Sequence, residues 1–244
     1  MRRTCASPPP RTDSAMNDPT LMLRMLQFAD SAFPIGSFAF SDGLEAAVAE
    51  GLVRDAATLA CYTDEIVRRT ATTDAVAALH AASACRCNDY PAVCKADGAL
   101  LRTKLNDEAR TMQRRTGRKL TELAVALFDN PLLQRWHADV KAERTPGCCP
   151  VAQGVLFAVC GLSDDALFAT LIYGAANRVL NAALRCVRVS HIDTQRILTE
   201  LATGIAALYD EASDMELDEM HAFSPQLDLL AALHEKGTGR MFMN

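Results

Sequence analysis

The sequence predicts an all-α protein: a single helical-bundle-like domain of about eight to ten helices, with a flexible N-terminal leader and a C-terminal docking tail. Three observations carry this. Half of the residues are apolar but only 6% are aromatic, and Ala and Leu dominate the long segments, a composition that favours helices over sheets. Apolar residues recur at helical spacing in segment after segment, with no alternating strand pattern and no repeat of fixed period. The 244 residues are enough for one substantial core. The boundaries this gives are a leader over 1–19, a helical domain over 20–224 and a tail over 225–244.

Taken in order, residues 1–19 hold four prolines and no periodic apolar pattern, which reads as a disordered leader, or as upstream sequence if translation starts at Met16. From Leu21, the positions Leu21, Met22, Met25, Leu26 and Ala29 hold a helical period up to the Phe33-Pro34-Ile35 turn. A second helix is expected from about Phe38 to Glu50, with Ser37 or Ser41 as cap and Gly51 as stop. After Arg54-Asp55, an apolar stripe through Leu59, Tyr62, Ile66 and Val67 continues to Ala78-Leu79, with Asp74 and His80 isolated among alanines. A shorter helix around Val93 precedes a long one over 100–128, ended by Asp129-Asn130-Pro131. Thr145-Pro146-Gly147 is a connector, 150–161 reads as a buried helix with a Gly stop, and Ser163 caps a nearly all-apolar helix running to Val187. A last long helix spans about 192–209, an acidic stretch follows over 210–218, and Phe223-Ser224-Pro225 opens the tail.

Composition also excludes functions. A net charge of −5 argues against sequence-independent nucleic-acid binding, which needs a basic surface. No apolar run approaches the roughly 18 to 20 residues that span a bilayer, and Arg2-Arg3 is followed by Pro8-Pro9-Pro10 rather than an apolar signal core, so a cytoplasmic location is expected. Nine cysteines form an odd, scattered set that fits reduced thiols. Cys85-x-Cys87 and Cys148-Cys149 lack the spacing of a zinc site, and no metal ligand is assigned. There is no phosphate loop and no dinucleotide fingerprint, and His234-Glu235 lacks the second His of a zinc helix. No nucleophile stands in a recognisable setting, so no catalytic residue is assigned and an enzyme is not expected.

Four features remain. The segment Ala32-Phe33-Pro34-Ile35-Gly36-Ser37-Phe38-Ala39-Phe40-Ser41-Asp42-Gly43-Leu44-Glu45 breaks one helical pattern and opens another, as an ordinary turn or as a motif. Asn177, Asn181, Arg185 and Arg188 recur at helical spacing on one face, either a solvated stripe or a protein-binding face on which Arg gives directional hydrogen bonds. Arg110, Arg114 and Arg118 with Arg115 and Lys119 make a basic stripe, which reads as solvated charge or as an acidic partner's contact. The tail joins an amphipathic turn or two to Gly237-Thr238-Gly239 and Arg240-Met241-Phe242-Met243, which packs on its own domain or on a partner.

The Pro34 to Glu45 element, with Pro34, Gly36, Ser41, Gly43 and Glu45 at its fixed positions, resembles the P-x-G-x-F-x-x-S-x-G-L-E element of the UreF family of urease accessory proteins. The segment 181–185 with Gln195 downstream, and the tail residues His234, Glu235, Arg240 and Phe242, follow in the same order, so the resemblance runs from about residue 20 to the C-terminus. It implies an all-α homodimer without a reaction of its own. Such a scaffold joins a nickel-carrying UreG-like GTPase to a UreD/UreH-like protein and delivers nickel to apo-urease, coupling GTP hydrolysis to metal release. Nickel would then pass in transit, with no stably bound cofactor. Carried over, Asn177, Asn181, Arg185 and Gln195 face the UreG-like GTPase, and His234, Glu235, Arg240 and Phe242 dock the UreD/UreH-like partner.

This sequence departs from the family pattern at three places. Ser190-His191 stands where Gly-Gln is usual, the terminus reads Arg240-Met241-Phe242-Met243-Asn244 instead of Arg-Leu-Phe-Arg-Ser, and Cys148-Cys149 replaces a His before Pro-Val. These changes leave open an alternative: a diverged paralogue acting as a metal- or redox-responsive protein through Cys85, Cys87, Cys148 and Cys149.

Overall fold

The computed structural model describes residues 18–37, 40–222, 224–236 and Phe242. Among them the chain forms twelve α-helices and one π-helical turn, with no strand. The all-α expectation holds, with more and shorter helices than periodicity alone suggests. Local capping explains most of the boundaries. Helix α1, Pro19–Ala29, starts where the Asp18 carboxylate accepts from Thr20 N at 2.8 Å and Pro19 needs no donor. Residues 1–17, Met16 included, lie outside the described residues, and with them most of the leader expected over 1–19.

The second helix, α2, is only Leu44–Ala49 rather than 38–50. Asp42 and Gly43 both take positive φ, 53° and 82°, so helical geometry cannot begin before Leu44. Neither serine caps it; its N-cap is Gly43. Gly51 ends it at φ 71° as expected.

Helix α3, Ala56–Thr70, opens with a reciprocal capping box between Asp55 and Thr58. It runs through the π-helical turn Ala71–Ala75 into α4, Val76–Arg86. Next come α5, Tyr90–Thr103, and α6, Asp107–Leu127. The single helix expected over 100–128 is broken because Lys104 is extended and Asn106 caps a fresh start, its side chain accepting from Ala109 N at 2.7 Å. Asn130 similarly starts α7, Pro131–Lys141, which periodicity left unassigned.

The remaining helices are α8, Cys149–Cys160, α9, Asp164–Cys186, α10, His191–Ala202, α11, Ile205–Asp214, and α12, Pro225–Lys236. Thr203 and Gly204 split the helix expected over 192–209 into α10 and α11.

Two apolar clusters hold these elements. The larger joins the alanine-rich α4 to α5, α6, α7, α8 and the N-terminal part of α9, with Trp136, Phe157 and Phe168 fully buried. Phe28 brings α1 onto it, edge-on to Phe33 and Phe128 at 5.7 and 6.2 Å between centroids. The smaller cluster packs Leu44, Leu59 and Tyr62 against Val179, Leu180, Leu227, Leu230 and Phe242. Two close backbone approaches need glycine. A Cβ on Gly154 would overlap the Ala78 carbonyl, and one on Gly117 would overlap the Gly147–Cys149 backbone. Helix α9 is, by length and composition, the one described helix apolar enough to cross a membrane. Of its most apolar window, 61% is buried inside this fold, as in a core helix. The apolar-run reading of the sequence missed it.

Candidate functional site

Buried charge gathers at one place, where the turn ahead of α2, the π-helical turn, α6, α8 and α9 converge on a cleft of about 180 Å³. The π-helical turn aims Asp74 inward, and such extra-residue turns recur at functional sites. The Asp74 carboxylate takes Lys104 Nζ and Thr73 Oγ1 (2.8 Å) on Oδ2, and Gln113 Nε2 on Oδ1 at 2.7 Å. Burial opposes its charge, yet the Lys104 ammonium and these donors outweigh burial and hold the carboxyl below its ordinary value. Beside it, Arg178 Nε donates to Asp42 Oδ2 at 2.9 Å. Burial works against the guanidinium too, but Asp42 and Asp74 more than compensate and raise its pKa. Tyr62 Oη donates to the Asp42 carbonyl at 2.7 Å, so the strained Asp42–Gly43 turn is fixed from both of its polar groups. On the α12 side, Arg69 and Asp228 pair at 2.7 Å with little exposure.

A second buried carboxylate shapes the cleft from behind. Asp97 in α5 accepts from Thr145 Oγ1 at 2.5 Å, Gly147 N at 2.7 Å and Cys148 N at 2.8 Å, tying down the turn that launches α8. Burial pushes its carboxyl up, and the three hydrogen bonds offset that only in part.

The motif residues Pro34, Gly36, Ser41, Gly43 and Glu45 are not among the residues that line this cleft, but three of their neighbours in the motif segment are. Ile35, Ser37 and Asp42 line it, Gly36 has φ 79°, Ser41 is fully buried, and a Cβ on Gly43 would press on Tyr62 Oη. Asn177 and Asn181 also line it and bond each other, Nδ2 of Asn181 to Oδ1 of Asn177 at 3.1 Å. Arg185, one turn further, is exposed and lies 5.7 Å from the centre of the Phe242 ring. Gln195 is exposed on α10, on a separate helix from that stripe. Phe242 is buried in the smaller cluster, its backbone N donating to Glu45 Oε2 at 3.2 Å. The side chains of His234 and Glu235, and all of Arg240, lie outside the described residues.

The basic stripe on α6 is exposed and met by acids: Arg110 with Asp107 at 3.6 Å, Arg118 with Glu143 at 3.8 Å, Lys119 with Glu122 at 3.1 Å. Among the described residues no group of three or more His, Cys, Asp or Glu is placed to hold a metal. Burial pushes the Cys85 thiol up to about 12 and Cys149 up to about 11, and raises Cys148 as well. Such thiols are neutral at pH 7 and weakly reactive.

Sequence reasoning marked Asp74 as isolated among alanines but did not single out Lys104, Gln113, Asp97 or Arg178. A lone acid in an apolar helix demands a partner. The partner here comes from a segment 30 residues away, which no local pattern announces.

The fold and cleft thus define an all-helical protein whose cleft ion pairs, Asp74 with Lys104 and Asp42 with Arg178, are internal to the fold. The UreF family model matches residues 53–202. The chain is 44% identical over 223 residues to "Urease accessory protein UreF 2" of Brucella canis, covering 91% of this chain and 92% of that one. It is 37% identical over 223 residues to "Urease accessory protein UreF" of Yersinia enterocolitica serotype O:8, covering 91% and 98%. The chain belongs to the UreF family of urease accessory proteins.

Proposed function

We propose that this protein is a non-catalytic scaffold of urease maturation, bridging a nickel-carrying UreG-like GTPase and a UreD/UreH-like protein so that nickel is inserted into apo-urease. The observation that carries the reading is the similarity over nine-tenths of the chain to proteins named urease accessory protein UreF. In this reading the Asn177, Asn181 and Arg185 face, with Gln195 on α10, meets the GTPase. The tail residues His234, Glu235, Arg240 and Phe242 meet the UreD/UreH-like partner. Exposure of Asn181, Arg185 and Gln195 suits a contact surface. The scaffold acts as a homodimer in the cytoplasm, and nickel passes through the assembly without being stably held by this chain.

Its mechanism is differential binding. A scaffold that favours one nucleotide state of the GTPase makes hydrolysis and metal release exchange free energy, and the coupling is reciprocal. Pull-down of the tagged chain with both cognate partners, followed by nickel-dependent urease activation in the reconstituted mixture, tests it. Activation that needs this chain supports the scaffold. A mixture that activates equally well without it removes the proposal.

A further inference from the structure

The acid that closes the Pro34 to Glu45 element reaches the far end of the chain. Glu45 stands in the first turn of α2 and is half-buried, beside Leu44, which is fully buried in the smaller cluster. Its Oε2 accepts from Phe242 N at 3.2 Å, a contact between residues 197 positions apart. The Phe242 ring enters the smaller cluster and is 7% exposed, and the Arg185 guanidinium stands 5.7 Å from the ring centre, within reach of a cation–π contact. Backbone and ring of Phe242 are thus held at once, the one by a carboxylate from α2 and the other by a side chain of α9. A hydrogen bond to a carboxylate is stronger than one between neutral groups, and it fixes the backbone, which ring burial alone leaves free to turn. Two residues of extended chain span at most about 7 Å, so an anchored Phe242 also limits where Arg240 can be presented.

We propose that Glu45 is a positioning residue for tail docking: its carboxylate, with Arg185 on the ring, seats Phe242 and so presents the tail to the UreD/UreH-like partner. This rests on the reading above that the tail docks that partner. Within it Phe242 works as the anchor of the tail, and the last residue of the motif gains a task. A tail ordered beforehand loses less conformational freedom on binding, so the anchor should appear as affinity.

The test takes two readouts on the intact chain. Hydrogen exchange at the amide of residue 242, followed by NMR, reports the anchor. Titration calorimetry with the cognate UreD/UreH-like protein reports the docking. For Glu45→Ala the expected results are exchange about tenfold faster and affinity about tenfold weaker, while circular dichroism still reports the helical fold. Glu45→Gln, which keeps an oxygen acceptor at the same reach, should restore much of both. If Glu45→Ala fails to fold, Phe242→Ala, which withdraws the ring from the cluster, takes its place with the same two expectations. Exchange that does not quicken in the folded variant, or affinity equal to that of the wild type, overturns the role of Glu45 and leaves the docking reading standing. If the wild-type chain itself binds no UreD/UreH-like protein, the docking reading and this role fall together.

Discussion

At the scale of single residues, the buried carboxylates organise the molecule, and each makes a separate prediction. Asp74 keeps its charge because Lys104 opposes it, so Lys104→Met leaves a buried anion uncompensated at a cost of about 3–5 kcal/mol at pH 7. The sign with pH follows. In the wild type the Asp74 carboxyl lies below its ordinary value, so its contribution is present above pH ~4 and is lost as pH falls toward that lowered value. Without Lys104, burial dominates and the carboxyl takes up a proton at higher pH. The penalty of the substitution should therefore shrink between pH 7 and pH 5 in urea denaturation, and an equal penalty at both would contradict the pairing. Asp97 acts differently, as an acceptor for two backbone N–H groups. Asp97→Ala strands Gly147 N and Cys148 N at about 1–3 kcal/mol each, whereas Asp97→Asn keeps one acceptor and should cost less. The same measurement orders the two variants.

At the scale of elements, spacing between helices is set where side chains are absent. Gly117→Ala and Gly154→Ala would each drive a methyl group into the backbone of another segment, at a cost of at least roughly 1–3 kcal/mol. Gly204→Ala, with nothing within 4 Å, should be close to neutral, and thermal melts of the three variants side by side check the contrast. These positions also mark how far the sequence could be read. Helical class and the paths of α8 and α9 follow from their apolar residues, most of which are buried. Of the stripe read for α1, by contrast, Met22 and Leu26 are exposed, Leu21 and Met25 are half-buried, and Phe28 is the buried anchor of the helix. The break at Lys104–Asn106, the split at Thr203–Gly204 and the late start of α2 were not legible. They depend on tertiary demands, such as the reach of Lys104 to Asp74 and the positive φ of Asp42, that leave no periodic trace. The Asn177–Arg185 stripe was legible as a shared face, but the place of Asn177 and Asn181 in the cleft lining was not, because that lining is assembled from segments far apart in the chain, from α1 to α12.

At the scale of the whole molecule, the tail is part of the fold as well as a predicted contact. Leu227, Leu230 and Phe242 are buried against α2, α3 and α9, each burial stabilising by roughly 1.5–3 kcal/mol. Removing 225–244 should therefore lower the melting temperature clearly, and loss of partner binding in that truncation would confound contact with stability. A point change is the cleaner probe. Arg240→Ala should preserve the helical fold while weakening binding to the UreD/UreH-like protein by about tenfold, the scale of an interface arginine. The decisive measurement is size-exclusion chromatography with light scattering of the intact chain mixed with its cognate UreD/UreH-like and UreG-like proteins. The scaffold account predicts one stoichiometric complex holding all three, diminished by Arg240→Ala. A folded, helical chain that elutes apart from both partners would contradict it.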